Sequence, residues 1–90
     1  AEPLAAAGYV TGLVGKWHNG ALDDRYHPCR RGFAEFAGFR GGWQPYFEWR
    51  HERGGVEQRA DGRYYTDVLT EDAIDFLHRH RREPFFLHLA

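Results

Sequence analysis

The sequence has no methionine, one cysteine and one lysine. A lone cysteine excludes an internal disulfide. No apolar run approaches the roughly 20 residues needed to span a bilayer, and none of the ninety residues reads as a secretory signal. Neither sign of charge dominates. Twelve Lys and Arg stand against thirteen Asp and Glu, for a net charge of −1, and the pI is near 6.7. That balance argues against a dedicated nucleic-acid binder, which carries a clear basic excess. What the chain does have is 42% hydrophobic and 17% aromatic residues, a globular composition. Ninety residues allow one small domain with a thin core. The missing initiator methionine and the apolar run PFFLHLA that ends at Ala90 read as a piece of a larger domain, truncated at both ends.

Along the chain, EPLAAAG (Glu2–Gly8) has the marks of the last turns of a helix. Pro3 suits a first turn and Gly8 is a natural stop. YVTGLVG (Tyr9–Gly15) is apolar on both faces and β-branched, as a buried parallel strand is. From Lys16 to about Arg63 the chain is rich in Gly, Pro, Arg and aromatics, and reads as long loops with short pieces of structure. YTDVLTEDAIDFLHRH is the clearest helix. Leu69, Ala73, Phe76, Leu77 and His80 share one stripe, acids come early and His and Arg late, and Thr66 or Asp67 is the expected N-cap. REPFFLHLA then predicts a second buried strand. The order helix, strand, long excursion, helix, strand implies an α/β fold with parallel strands.

Lys16 and His18 follow the first strand directly. In open α/β sheets ligands bind beyond the carboxyl ends of the strands. If the backbone stays extended through Trp17, positions 16 and 18 point to one side. A lysine ammonium and an imidazole converging there suit an anionic, tetrahedral substrate. The ammonium is a compact point charge with three donors, and the imidazole can orient or deprotonate a nucleophile near neutral pH. Trp17 is expected to pack the motif, and Gly12, Gly15 and Gly20 to serve the backbone.

GYVTGLVGKWHNG (Gly8–Gly20) resembles the second signature of the type I sulfatases, in the alkaline phosphatase superfamily. HPCRRGFAEFAGFRGG (His27–Gly42) resembles the family's arginine–glycine–phenylalanine segment, YYTDVLTEDAIDFL its Y-x-T-D-x-L-T helix, and EPFFLHLA the strand that follows. These pieces stand in family order over nearly the whole chain. The resemblance implies a partial parallel-sheet sandwich with flanking helices, part of an alkaline-phosphatase-like catalytic domain covering residues 1–90. It implies a sulfuric ester hydrolase acting on a sulfated carbohydrate or an aryl sulfate. Lys16 would contact the sulfate and leaving-group oxygens, and His18 the nucleophile. The implied cofactors are calcium and a formylglycine made from Cys or Ser in a C/S-x-P/A-x-R motif. That motif is absent here, and so are the family's calcium ligands. Periplasmic or extracellular placement is the family expectation. The alternatives are a phosphonate or phosphate monoester hydrolase of the same superfamily, and a non-catalytic carbohydrate-binding module.

Other features read as structural. Cys29 opens CRRGF, which lacks the nucleophile pattern, so it is rejected as the nucleophile. GLVGK fails the phosphate-loop pattern, having Val10 and Trp17 where Gly and Ser or Thr are needed. Zinc on His27, Cys29, His78 and His80 is disfavoured, because residues two apart on a helix face apart. Asp23 and Asp24 read as solvated acids, and Arg30 or Arg31 as the donor of a structural ion pair. WQPYFEWRHER interleaves aromatics with arginine, a pattern shared by stacking surfaces and ordinary loop packing.

Overall fold

A computed structural model describes residues 1–90. Helix α1 (Glu2–Ala6) carries proline in its first turn. It stops at Gly8, whose φ of 93° is open to glycine, and the Tyr9 N–H closes the end by donating to the Leu4 carbonyl at 3.1 Å. Strand β1 (Val10–Lys16) follows, with Thr11 to Gly15 all buried. It is the hub of a five-stranded sheet of order β4-β3-β2-β1-β5, formed with β2 (Glu35–Phe39), β3 (Arg50–Arg53), β4 (Val56–Arg59) and β5 (Phe85–Leu89). β2 and β5 both run parallel to β1, while β3 is antiparallel to its neighbours β2 and β4. Only β3 therefore opposes the common direction.

The long excursion thus holds three strands and two short 3₁₀ turns, Asp24–Tyr26 and Pro28–Arg30, where the sequence predicts mostly loop. The expected parallel pairing of the first and last strands is present and direct: Val10 lies beside Phe85 and Val14 beside Leu89. β5 is not buried, however. It pairs on one side only, and all five of its residues are half-exposed or exposed.

Helix α2 (Tyr65–His80) matches the expected span. Its N-cap is Tyr64, with extended backbone and no side-chain cap; Thr66 and Asp67 lie inside the first turn. The Tyr65 N–H is satisfied instead by the Tyr46 carbonyl at 2.8 Å, and Asp67 still favours the positive end of the helix. The buried stripe is Tyr65, Val68, Ala73 and Phe76, while Leu77 is 39% exposed.

Two apolar clusters sandwich the sheet. On the α2 side, Trp49, Tyr65 and Val68 pack with Phe39, Ala60 and Leu69. On the other, Leu13, Phe33 and Phe36 pack with Ala1, Trp17 and Phe86. Strand alternation explains the division. Gly12 faces α2, and the Phe76 ring lies so close that a Cβ there would overlap it. The glycine lets the helix settle onto the sheet.

Candidate active site

Lys16 is the last residue of β1 and lies beside Phe39, the last residue of β2. It is exposed, and its ammonium makes no ion pair within the chain. Beyond it the ladder breaks its rhythm. The N–H groups of Trp17 and His18 donate in succession to the carbonyls of Phe39 and Arg40, both at 3.0 Å, whereas in a regular strand alternate residues face a given neighbour. His18 then turns left-handed at φ 50°, the one residue other than glycine with positive φ. Extended alternation therefore stops short of His18. Its ring lies over Gly42. A Cβ on Gly42 would stand 2.7 Å from Nε2 and 2.8 Å from Cε1 of His18, so a larger residue there would displace the imidazole from this seat. A backbone held in a sparsely populated region is a feature of sites that must aim a side chain.

Trp17 packs the motif as expected. Its Nε1–H donates to the Tyr26 carbonyl at 2.7 Å, and its ring meets Phe33 edge-on at 6.1 Å. Gly15 and Gly20 take φ of 119° and 115°, and Gly15 also lies against the Ala90 carbonyl. The Ala90 N–H donates to the Val14 carbonyl at 2.9 Å. The ends of β1, β2 and β5 thus form one edge, with Lys16 at its centre.

Sequence reasoning passed over the residues that brace this edge. Arg40 Nε donates to Glu52 at 2.9 Å, and its Nη1 to Asp24 at 2.7 Å. His27 accepts from the Cys29 N–H at Nδ1, which leaves the Nε2 proton to donate to Glu52 at 2.7 Å. Burial pushes the Glu52 carboxyl up, but Arg40 and His27 outweigh it and hold it below the usual range. The four partners are scattered over residues 24 to 52, a spacing with no local signature.

A cavity of about 410 Å³ lies elsewhere, between β2, the β3–β4 turn and α2, and neither Lys16 nor His18 borders it. Its charged groups are already matched to one another or to close neighbours. Arg79 holds Glu35 at 2.6 Å and Asp75 at 2.7 Å, and Asp72 holds His51 at 2.6 Å and Arg53 at 2.5 Å. An anion there would compete with carboxylates; at Lys16 it would meet an unpaired cation. The edge is therefore the better candidate for an anion. Cys29 borders the cavity; partial burial, then the charges of Glu52 and Glu35, push its thiol up. A thiol so disposed is a poor nucleophile.

Two further expectations are corrected. Neither Arg30 nor Arg31 forms an ion pair; the Arg31 guanidinium lies over the Tyr26 ring at 5.2 Å. Asp23 and Asp24 are exposed or nearly so, yet both are engaged, Asp23 by Arg25 and Asp24 by Arg40. The aromatic segment divides: Trp49 is buried, while Trp43, Tyr46 and Phe47 are exposed.

Calcium needs six to eight converging oxygens. The acids nearest the edge are committed to arginine or histidine, and no three potential ligands of the chain gather. These residues do not fit a calcium site, and none carries the formylglycine pattern.

A mixed sheet with a parallel core under a helix, with unpaired polar groups at its carboxyl edge, defines an α/β domain of the open-sheet class. More particularly, the chain belongs to the sulfatase family, whose profile matches residues 1–90. It is 31% identical over 107 residues to human N-acetylgalactosamine-6-sulfatase, an alignment covering 99% of this chain and 20% of that protein. The solved structure of Ps i-CgsB in complex with k-i-k-neocarrahexaose superposes with a TM-score of 0.87 at 32% identity, over 99% of this chain and 25% of that one. BT4656, solved with its substrate D-glucosamine-2-N,6-O-disulfate, gives 0.71 at 28% identity, over 98% and 17%. The chain spans about a fifth of the length of the curated relatives it matches.

Proposed function

We propose that residues 1–90 are part of the catalytic domain of a sulfuric ester hydrolase and supply two groups to its sulfate pocket, Lys16 and His18. The carrying observation is an exposed ammonium with no ion pair in the chain at the end of β1, followed two residues later at the same sheet edge by an exposed imidazole on a left-handed turn. Family membership supports the reaction class. The nucleophile and the calcium ligands belong to residues outside these ninety.

A sulfate ester is a tetrahedral anion whose leaving oxygen gains charge as the S–O bond breaks. Lys16 Nζ has three donors and can hold a sulfate oxygen and the leaving oxygen at once. Its charge is worth most where negative charge develops. His18 can hold or accept a proton beside the reacting centre near neutral pH. Arg40 and Glu52 act through position: they fix the loop whose carbonyls hold the His18 backbone.

The test is made on the full-length enzyme with nitrophenyl sulfate. Lys16→Ala is expected to lower kcat/KM by roughly 10²–10³-fold. Lys16→Arg is expected not to restore it, because a planar fork cannot replace a point charge touching two oxygens. Near wild-type kinetics for the arginine variant would refute the assignment. Preferential turnover of nitrophenyl phosphate would replace sulfate with phosphate as the substrate.

A further inference from the structure

Of the eleven glycines, seven take a positive φ and so are glycine for the backbone's sake. The other four, Gly12, Gly38, Gly41 and Gly42, lie outside that region, so what decides there is the space a Cβ would need. Gly12 leaves room for the Phe76 ring and Gly38 for the Gly15 carbonyl, both within the packed sheet and helix. Gly41 is unconstrained, since a Cβ on it would have nothing within 4 Å. Gly42, the next residue, is crowded by one side chain. The three atoms nearest its Cβ position are Nε2 at 2.7 Å, Cε1 at 2.8 Å and Cδ2 at 3.1 Å, all of the His18 imidazole. Nε2 is bonded to the other two, so it is the Nε2 end of the ring that lies over the glycine. The imidazoles of His27, His51 and His80 are held at their ring nitrogens by hydrogen bonds. The His18 ring has no such partner in the chain, and its backbone N–H is tied to the Arg40 carbonyl at 3.0 Å. Close contact with Gly42 is therefore what the chain offers this ring.

We propose that Gly42 is a positioning residue for sulfate-ester cleavage: its missing Cβ lets the His18 imidazole lie with its Nε2 end against the loop after β2, aimed for the proton step. The proposal rests on Lys16 and His18 serving the sulfate pocket, and deepens that reading by naming what orients His18. An alanine at 42 meets no φ barrier, and the atoms its Cβ would strike are the far end of a side chain that turns about χ1 and χ2. The imidazole gives way and the fold does not. At Gly12 or Gly38 the same substitution would strike a core ring or a backbone carbonyl. At Gly42 it therefore separates orientation from stability. Proton transfer needs the imidazole nitrogen within roughly 2.6–3.2 Å of its partner, and a displacement of about 1 Å can cost on the order of 10²-fold in rate. Lys16 is fixed independently, by the register of β1 on β2, so sulfate binding stays while the proton step suffers.

The experiment uses the full-length enzyme with nitrophenyl sulfate and compares Gly42→Ala, Gly41→Ala, His18→Ala and the double variant that joins His18→Ala to Gly42→Ala. Gly42→Ala is expected to lower kcat about 10- to 100-fold, with KM and the thermal midpoint nearly unchanged. Gly41→Ala is expected to match wild type. In the His18→Ala background, Gly42→Ala is expected to have no further effect, because the group it acts through is gone. A further loss in that background, a loss carried by KM, or an equal loss in Gly41→Ala overturns the proposal. So does wild-type kcat for Gly42→Ala beside a costly His18→Ala, and that outcome leaves the His18 assignment standing. If His18→Ala itself keeps wild-type kinetics, the sulfate-pocket reading of His18 fails, and the role of Gly42 falls with it. Should Gly42→Ala not fold, the double variant decides. A folded double variant supports the imidazole as the obstacle; an unfolded one shows that Gly42 serves the backbone and overturns the proposal.

Discussion

On β1 five consecutive residues are buried; on β4 none of four is. The two strands belong to one sheet, yet different forces hold them. The parallel half, β2-β1-β5 under α2, is joined by close apolar approach. Phe76 lies on Gly12, Phe85 meets Phe76 at 6.1 Å, and Phe86 stacks on Phe33 at 6.4 Å. The hairpin half adds charge to an apolar base, where Trp49 and Ala60 pack on Tyr65 and Val68. Glu52 reaches across to His27 and Arg40, and Arg53 and His51 reach to Asp72 on α2. Buried area carries the first half, and the second adds paired polar groups to it. The candidate site sits on the first and borrows its bracing from the second.

That contrast predicts graded effects on the full-length protein. The largest is Phe76→Ala, which removes a ring that is 2% exposed and is expected to cost about 3–5 kcal/mol, read as a loss in denaturant midpoint. A cost below that of an ordinary surface change would mean that burial does not hold the parallel half. Glu52→Gln comes next. It leaves Arg40 and His27 without their shared charge and is expected to cost about 1–3 kcal/mol. Amide exchange should quicken first around Arg40–Gly42 and at the His18 N–H; exchange quickened only in β4 would disconnect the hairpin from the site.

A smaller effect depends on pH, where Glu35 meets the end of α2. Arg79 holds the Glu35 carboxyl below its ordinary 4.5, and Glu83 followed by Glu35 raises the His80 imidazole above its ordinary 6.5. Glu35 therefore adds stability that is present above 4.5 and lost as pH falls through its lowered value. His80 adds stability that is present below 6.5 and lost as pH rises through its raised value. Attachment of the α2 terminus is expected to be firmest between 4.5 and 6.5, and His80→Gln should flatten only the alkaline limb of exchange rates in that turn. The smallest effect is Arg50→Ala. Its 3.5 Å pair with Glu57 is largely exposed on both sides, so a change within about 0.5 kcal/mol is expected. A larger loss would show that exposed charge carries more of the hairpin than this comparison allows.

The same contrast decides what could be read from sequence. β1 and α2 were legible because burial imposes a period: unbroken apolar residues on one, a 3.6-residue stripe on the other. Lys16 was legible because a strand ends beside it, and the glycines because helix and strands crowd them. β2 was hidden by the glycines around EFAGF, and RHER and VEQR of β3 and β4 carry no apolar alternation at all. Their stability comes from partners tens of residues away. The same reason hid Arg40, Glu52 and the Gly42 seat. The N-cap differs from the expected Thr66 or Asp67 because a backbone carbonyl, of Tyr46, takes the Tyr65 N–H at the helix start.

β2 touches β3 through only two residue pairs, Ala37 with Arg53 and Gly38 with Glu52, against five between β2 and β1. In mechanical terms the sheet is two plates on a short joint. Residues added or removed in the turn at Gly54–Gly55 would lengthen the outer plate without sliding the inner one, because no register beyond the joint has to be kept. A change of length in the hairpin is thus expected to leave Lys16 where β1 sets it.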